Sequence, residues 1–178
     1  ETVIFQPRDT LLNRGFDVQY LNPVIFYRPQ EYALGSSDNV LLGASLTFRF
    51  KQQVFYSQLV LDEFFLSELK AKTGWWANKY GGQIGIKGRF IANQINFLYR
   101  MELNAVRPYT YAHLTSGQNY GTLGMPLAHP LGSNFYEYIA ELKAQKDKFF
   151  VKGMICYFLQ GKDNNNYNYG SNVYTPYI

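Results

Sequence analysis

The sequence predicts an all-β protein, and more specifically an antiparallel transmembrane β-barrel of the outer membrane. Apolar and polar residues alternate along several stretches, and the gaps between these stretches are alternately short and long. Strand side chains alternate faces with period two, so the alternation gives each strand one apolar face and one polar face. Short turns at one end of the sheet and long loops at the other are typical of outer-membrane barrels.

Three hairpins are predicted along the chain. They pair residues 40–50 with 54–61, residues 76–90 with 95–104, and residues 136–144 with 149–160. Further strand segments are predicted at residues 2–6, 16–27 and 172–178. A tilted strand of about ten residues crosses the hydrocarbon layer, and the hairpin strands have this length.

The second hairpin predicts which residues face lipid. A soluble sandwich would show the same alternation with its apolar face turned inward, so the orientation separates the two folds. We expect the apolar parity to face lipid and the charged parity to face the lumen. The apolar set is Ile84, Ile86, Ile95, Phe97, Tyr99 and Met101, and the charged set is Lys87, Arg100 and Glu102.

Composition narrows the function classes. Aromatic residues make up 18% of the chain, with 16 Tyr and 14 Phe, and Tyr suits a membrane–water interface where one end of the ring is hydrated. The net charge of +4 is spread over the chain, so we expect no nucleic-acid partner. Cys156 is the single cysteine and lies in a predicted strand. We therefore interpret it as a small strand residue rather than a catalytic thiol.

The termini predict that residues 1–178 are one β-barrel region with both ends truncated. Residue 1 is Glu rather than Met, and no signal peptide precedes it, although an outer-membrane protein needs one. The last predicted strand begins at Asn172 and stops at the end of the chain. We therefore expect these residues to be a fragment of a larger barrel.

Polar and aromatic clusters lie at the long-loop ends of the predicted strands, where they would gather at the external mouth. Aromatic rings stack on the C–H faces of sugars, and charged or amide groups bond the hydroxyls. The predicted saccharide site contains Asp62, Trp75, Trp76, Asn78, Arg107, Tyr109, Tyr111 and His113. A salt-bridge network that braces the barrel interior is the alternative for the charged members.

The segment 105–134 is about thirty residues long, beyond the ~12–15 residues at which an unstructured loop is usually functional or disordered. Its prolines, Pro108, Pro126 and Pro130, favour an ordered loop that folds in. Alternate residues from Arg107 to His113 are predicted to line one face of a strand extension, beside Trp75, Trp76 and Asp62.

No catalytic, metal or cofactor site is predicted. Asp62 and Glu63 would point to opposite faces of a strand, which excludes a glycosidase pair. His113 and His129 lack a third ligand at metal spacing. Ser116 or Ser133 could join either His in a hydrolase, but the chain has no nucleophile-elbow pattern.

The same clusters carry a family resemblance. In order, YLNPVIFYRP at 20–29, LDEF at 61–64, GWWANK at 74–79, VRPYTYAH at 106–113 and PLAHPLGSN at 126–134 resemble the Wzi-type capsule-assembly family. The likeness is greatest to the branch that includes gliding-motility surface proteins of Gram-negative bacteria. The resemblance implies a large monomeric outer-membrane barrel, which in better-known members is a lectin that holds capsular polysaccharide at the cell surface. The chain is much shorter than such a barrel and lacks an amphipathic helix for a periplasmic plug.

Three functions are compatible with these observations. The leading prediction is a non-enzymatic protein that attaches or assembles surface polysaccharide, with outer-membrane lipid and the polysaccharide as partners. The second is a structural component of a motility or secretion complex, with other surface proteins as partners. The third is a porin-like channel whose charge ladder sets Lys79, Lys87, Arg89 and Arg100 against Glu102.

Overall fold

A seven-stranded antiparallel sheet dominates the protein. The computed structural model describes residues 1–4, 18–21, 38–63, 66–72, 75–113, 115–164 and 168–176. The sheet has the order β1-β2-β3-β4-β5-β8-β9. Its strands are β1 (Thr2–Ile4), β2 (Asn39–Phe50), β3 (Gln53–Leu61), β4 (Tyr80–Ala92), β5 (Ile95–Val106), β8 (Phe135–Lys146) and β9 (Phe149–Gln160). The predicted all-β class is confirmed.

The remaining elements are short and lie outside this sheet. Strands β6 (Gly121–Thr122) and β7 (Met125–Pro126) form a small hairpin of their own. Helix α1 spans Leu66–Ala71, and single 3-10 turns span Val18–Leu21 and Ser116–Gln118. Among the described helices, none is long and apolar enough to cross a membrane.

Tight turns close all three hairpins at one end of the sheet. Phe50 pairs with Gln53, Ala92 with Ile95 and Lys146 with Phe149, so each turn has two central residues. Asn93 and Gln94 both have positive φ, as in the type I′ turn, whose twist matches that of the flanking strands. The connections 62–79 and 107–134 lie at the other end. The predicted alternation of short turns and long loops is confirmed.

The two faces of the sheet have the predicted composition. Ile84 lies opposite Leu103 and Ile86 opposite Met101, whereas Lys87 lies opposite Arg100 on the other face. The apolar face, called the outer face below, is exposed: Ile84 is 62% exposed, Met101 58% and Ile155 73%. Burial of Ile84 in a closed protein core would have contradicted the barrel prediction, and the structure does not show such burial.

The hydrophobic core lies on the opposite, inner face, at the loop end of the sheet. Its buried members are Leu41, Val106, Tyr111, Phe135 and Val173. Three of these come from the ends of β2, β5 and β8, and Tyr111 and Val173 come from loops that pack over them. Tyr120 and Leu131 pack against the same core, so the segment 107–134 folds back over the inner face. This confirms the predicted ordered, folded-in loop.

The described strands form an open sheet. One edge is formed by β1 and β2, and β9 forms the other. Within the residues that the structure describes, these edges do not pair with each other, so the fold shows an antiparallel sheet that is not closed into a barrel.

Two predicted strand segments are wrong where the structure describes them. Residues 18–21, within the predicted strand 16–27, form a 3-10 turn, and the rest of that segment lies outside the described residues. At 172–175 the chain turns, because the Asn172 side chain accepts a hydrogen bond from the Tyr174 N–H and its carbonyl accepts one from Thr175. Trp76 also lies in a turn, and β4 begins at Tyr80.

Candidate ligand-binding site at the loop end of the sheet

Asp62 joins the end of β3 to the loop that follows β5. Its Oδ1 lies 3.1 Å from His113 Nε2, and its Oδ2 accepts a 2.9 Å hydrogen bond from the Tyr111 N–H. Its own N–H donates to the Lys79 carbonyl at 3.0 Å. Burial by itself raises the pKa of Asp62, but the hydrogen bond from His113, the nearby positive charges and the Tyr111 N–H outweigh it and hold that pKa below its usual value.

Lys79 is a fully buried cation in the same cluster. Its Nζ donates to the Ala112 carbonyl at 2.9 Å and lies 3.5 Å from Glu63 Oε1. That carboxylate oxygen is also 3.6 Å from His113 Nδ1. A buried ammonium is tolerated only when it is paired and hydrogen-bonded, as it is here. Lys79 therefore belongs to this bracing cluster, and its predicted place in a lumenal charge ladder is wrong.

The predicted opposite orientation of the Asp62 and Glu63 side chains is also wrong. Strand β3 ends at Leu61, so the period-two rule does not apply to the next two residues. Both carboxylates approach the same imidazole, that of His113. Their contacts with His113, Lys79 and the Tyr111 N–H hold two loops together.

The predicted strand extension from Arg107 to His113 is wrong. Strand β5 ends at Val106, and a turn follows in which Tyr109 and Tyr111 have positive φ, 66° and 72°. Pro108 has no N–H for a strand ladder, which is a physical reason for the strand to end here. As a result Tyr111 and His113 are buried, whereas Arg107 and Tyr109 are only half-buried.

An accessible aromatic cluster lies beside this turn. The Trp76 and Tyr109 rings meet edge to face with their centroids 5.6 Å apart, and the Tyr169 ring is 5.8 Å from that of Tyr109. Arg107 donates to the Asn78 carbonyl at 2.9 Å, and its guanidinium lies over the Tyr80 ring. Trp76 is 45% exposed. We call Trp76, Arg107, Tyr109 and Tyr169 the mouth cluster.

The structure divides the eight predicted site residues into two groups. Asp62, Asn78, Tyr111 and His113 are buried. Trp75, Arg107 and Tyr109 are half-buried, and Trp76 is exposed. The buried group has the contacts of a bracing network, and the accessible group presents aromatic rings and a guanidinium. The pKa of Tyr111 is raised, first by burial and then by the charge of Asp62, so its hydroxyl stays protonated.

Sequence reasoning missed a row of hydrogen-bonded side chains on the inner face. The Tyr56 hydroxyl donates to Glu102 Oε2 at 2.6 Å, and Asn104 Nδ2 donates to Glu102 Oε1 at 3.1 Å and to Glu137 Oε2 at 2.8 Å. His129 Nε2 lies 3.0 Å from Glu137 Oε2. Strand parity could have found Glu137, since every strand member of this row has inner-face parity.

The described residues contain no cluster of three or more His, Cys, Asp or Glu that could hold a metal ion. Cys156 is exposed, and its Sγ lies 3.6 Å from Glu137 Oε1.

A scan against protein-family models, a search of curated proteins and a search of solved structures found no match to this chain. The family resemblance noted in the sequence remains a prediction.

Proposed function

We propose that this chain forms part of the wall of a transmembrane β-barrel in the outer membrane and holds surface polysaccharide at its external mouth. The observation that carries the membrane part is the exposed apolar outer face. The long strands have 9 to 13 residues, and a tilted strand needs about 9–11 to cross the hydrocarbon layer. An apolar surface that extends over six strands is unfavourable in water and favourable against lipid tails.

The order of residues along the outer face supports the same placement. In β4, β5, β8 and β9, aromatic side chains lie toward both ends of the outer face and aliphatic ones between them. Near the tight turns lie Phe90, Phe97 and Phe149, near the loops lie Tyr136, Tyr138 and Tyr157, and between them lie Ile86, Met101 and Ile155. Outer-membrane barrels have such aromatic girdles at the two interfaces, with a purely apolar band between them.

The mouth cluster supports the polysaccharide part of the proposal. It lies at the end of the sheet opposite the tight turns, and outer-membrane barrels place their long loops outside the cell. Trp76 and Tyr109 offer ring faces to the C–H side of a sugar, and Arg107 offers N–H donors to its hydroxyls. The sequence resemblance to capsule-assembly proteins implies the same kind of ligand.

A porin-like channel is the second candidate, and a chain of charges on the inner face favours it. Arg100 Nη2 lies 3.7 Å from Glu141 Oε2, and Lys152 Nζ lies 3.0 Å from the same oxygen. Such opposed charges line the constrictions of cation- and anion-selective pores. Conductance of the protein in planar bilayers would distinguish a pore from a binding protein.

The proposed function is tested by truncating the mouth cluster. A Trp76→Ala, Tyr109→Ala double variant should abolish retention of cell-surface polysaccharide, because both stacking rings are lost. Membrane insertion should be unchanged, since neither residue lies on the outer face. Retention is measured by antibody or lectin staining of whole cells, and insertion by the mobility of unheated protein in gels.

The matched control is Leu123→Ala, since Leu123 lies in the same long loop and is 92% exposed. It should retain polysaccharide like the wild type. If the double variant inserts and also retains polysaccharide fully, the mouth cluster is not the site. If the wild type retains none but co-purifies with surface proteins, the role in a motility or secretion complex replaces the proposal.

A further inference from the structure

A cavity of about 330 Å³ lies between the inner face of the sheet and the folded-back loop. Its sheet side contains small and amide-bearing residues of inner-face parity from β2 to β5. Its loop side is formed by Tyr111, Tyr120 and His129, and Glu1 and Thr2 at the β1 edge also line it. The sheet-side residues on which the argument rests are Gly43, Ser45, Gln58, Gly81, Gln83 and Asn104.

Two glycines lie on the inner face beneath the loop, and the space above one of them is open. A Cβ at Gly81 would meet Val106 Cγ2 at 3.0 Å and the Tyr111 hydroxyl at 3.3 Å, so the loop closes tightly there. A Cβ at Gly43 would meet nothing nearer than the Leu59 carbonyl at 3.7 Å. The space above Gly43 is therefore open, although the core residues beside it are packed.

The polar groups around the cavity suit a neutral ligand. Gln83 Nε2 donates to Asn104 Oδ1 at 3.0 Å, which leaves the Gln83 carbonyl oxygen able to accept further bonds. Gln58 and Ser45 add an amide and a hydroxyl. The carboxylates of Glu102 and Glu137 lie behind Asn104, whose side-chain amide donates to both, and they disfavour an anion.

The loop side supplies the complementary apolar surface. The Tyr111 and Tyr120 rings have their centroids 5.9 Å apart and both line the cavity. Rings on one side with amides and hydroxyls on the other match a molecule that has a C–H face and several hydroxyl groups. A volume of about 330 Å³ lies at the lower end of the ~300–1,000 Å³ range of small-molecule sites.

We propose that this cavity binds one neutral saccharide unit. The proposal rests on the proposed function, because the surface polysaccharide would supply the sugar, and it adds a contact site distinct from the mouth cluster. Gln58, Gln83 and Ser45 would bond the hydroxyls, and Tyr111 and Tyr120 would lie against the C–H face.

The test is titration of the full chain in detergent with glucose, galactose, N-acetylglucosamine and glucuronate, followed by calorimetry. The wild type should bind at least one of the neutral sugars saturably, and glucuronate at least tenfold more weakly than glucose. Gly43→Leu fills the cavity and should weaken binding at least tenfold. Gly153→Leu is the matched control, because a Cβ at Gly153 in β9 meets nothing within 4 Å.

The proposal is overturned if the wild type binds no neutral sugar, or if Gly43→Leu binds as well as the wild type. If Gly43→Leu does not fold, Gln83→Ala replaces it. We expect this variant to bind the sugar at least fivefold more weakly than the wild type. Unchanged affinity for the sugar would overturn the proposal. The two proposals can fail separately. If polysaccharide retention depends on Trp76 and Tyr109 but the cavity binds no sugar, this inference is wrong and the proposed function is still supported.

Discussion

The Tyr56 hydroxyl lies 2.6 Å from a carboxylate oxygen of Glu102, although a whole strand separates the two residues. Tyr56 is in β3 and Glu102 in β5, and Gly85 of β4 is the register partner of both. A Cβ at Gly85 would clash with the Tyr56 ring, so only glycine allows the ring to lie across β4. This hydrogen bond joins β3 to β5 across β4 on the polar face of the sheet.

Gly85→Ala should therefore destabilise the sheet. The new methyl group must displace the Tyr56 ring, and overpacking of this kind costs about 1–3 kcal/mol. Loss of the bond to Glu102 adds to the effect. The measurement is guanidinium unfolding of the protein in lipid vesicles, followed by Trp fluorescence.

Two variants separate the clash from a general effect of replacing glycine. Gly153→Ala places a methyl group in open space and should leave stability close to that of the wild type. A Gly85→Ala, Tyr56→Ala double variant removes the ring and should be destabilised by less than the sum of the two single variants. Equal stability of Gly85→Ala and the wild type would contradict the explanation.

Ile84→Arg tests the proposal that the outer face contacts lipid. A charge on that face near the bilayer midplane costs about 2–4 kcal/mol, so the fraction of protein that folds into vesicles should fall. Thr47→Arg is the control, since Thr47 has inner-face parity and is exposed. If both variants insert equally well, the outer face does not contact lipid.

The lowered pKa of Asp62 predicts acid sensitivity of the loop. A carboxyl group with a depressed pKa in the folded state stabilises that state above its unfolded pKa of about 3.9, and this contribution is lost as pH falls through the folded pKa. The protection factor of the Tyr111 amide against hydrogen exchange, measured relative to the intrinsic rate at each pH, should be high near about pH 6 and fall below about pH 3.9, because its N–H donates to Asp62.

Asp62→Asn should show faster Tyr111 exchange than the wild type near neutral pH, and the difference should shrink in acid. Asp147→Asn is the control, because Asp147 is an exposed turn residue at the other end of the sheet. A constant difference between Asp62→Asn and the wild type across this pH range would exclude the Asp62 charge as the cause.

Cysteine labelling of intact cells tests the topology, in a Cys156→Ala background. Single cysteines at Gln52, Asn93 and Lys146, at or beside the tight turns, should not react with an impermeant reagent. Cysteines at Tyr109 and Gln118, in the long loop, should react. The sequence predicts that Asn166 also lies on the reactive side, and this residue lies outside the described residues. Equal reaction of both sets would contradict the proposed orientation.

The strands and the composition of their faces could be predicted because they depend on local order. The alternation of Ile84 and Ile86 with Lys87 fixes which side chains share a face, whatever the rest of the chain does. Strand β9 was predicted with its observed bounds, and the other hairpin strands within a few residues. Segments without clear alternation, such as 172–176, were not predictable in this way.

The candidate site was predicted only as a set of residues. Asp62 and His113 are 51 positions apart, and their contact depends on how two loops pack at the strand ends. The positive φ of Tyr109 and Tyr111 sends neighbouring side chains to different environments, which the expected strand extension missed. The burial of Lys79 could not be predicted from the sequence either, because a lysine beside a strand is usually exposed to solvent.

The sequence by itself determined an all-β chain with one apolar and one polar strand face, because a period of two is a property of the extended backbone. Only the tertiary structure decided that Gly85 lets Tyr56 reach Glu102, that Asp62 binds the loop after β5, and that a cavity remains above Gly43. Each of these depends on strand register and loop packing between distant parts of the chain, which local residue order does not encode.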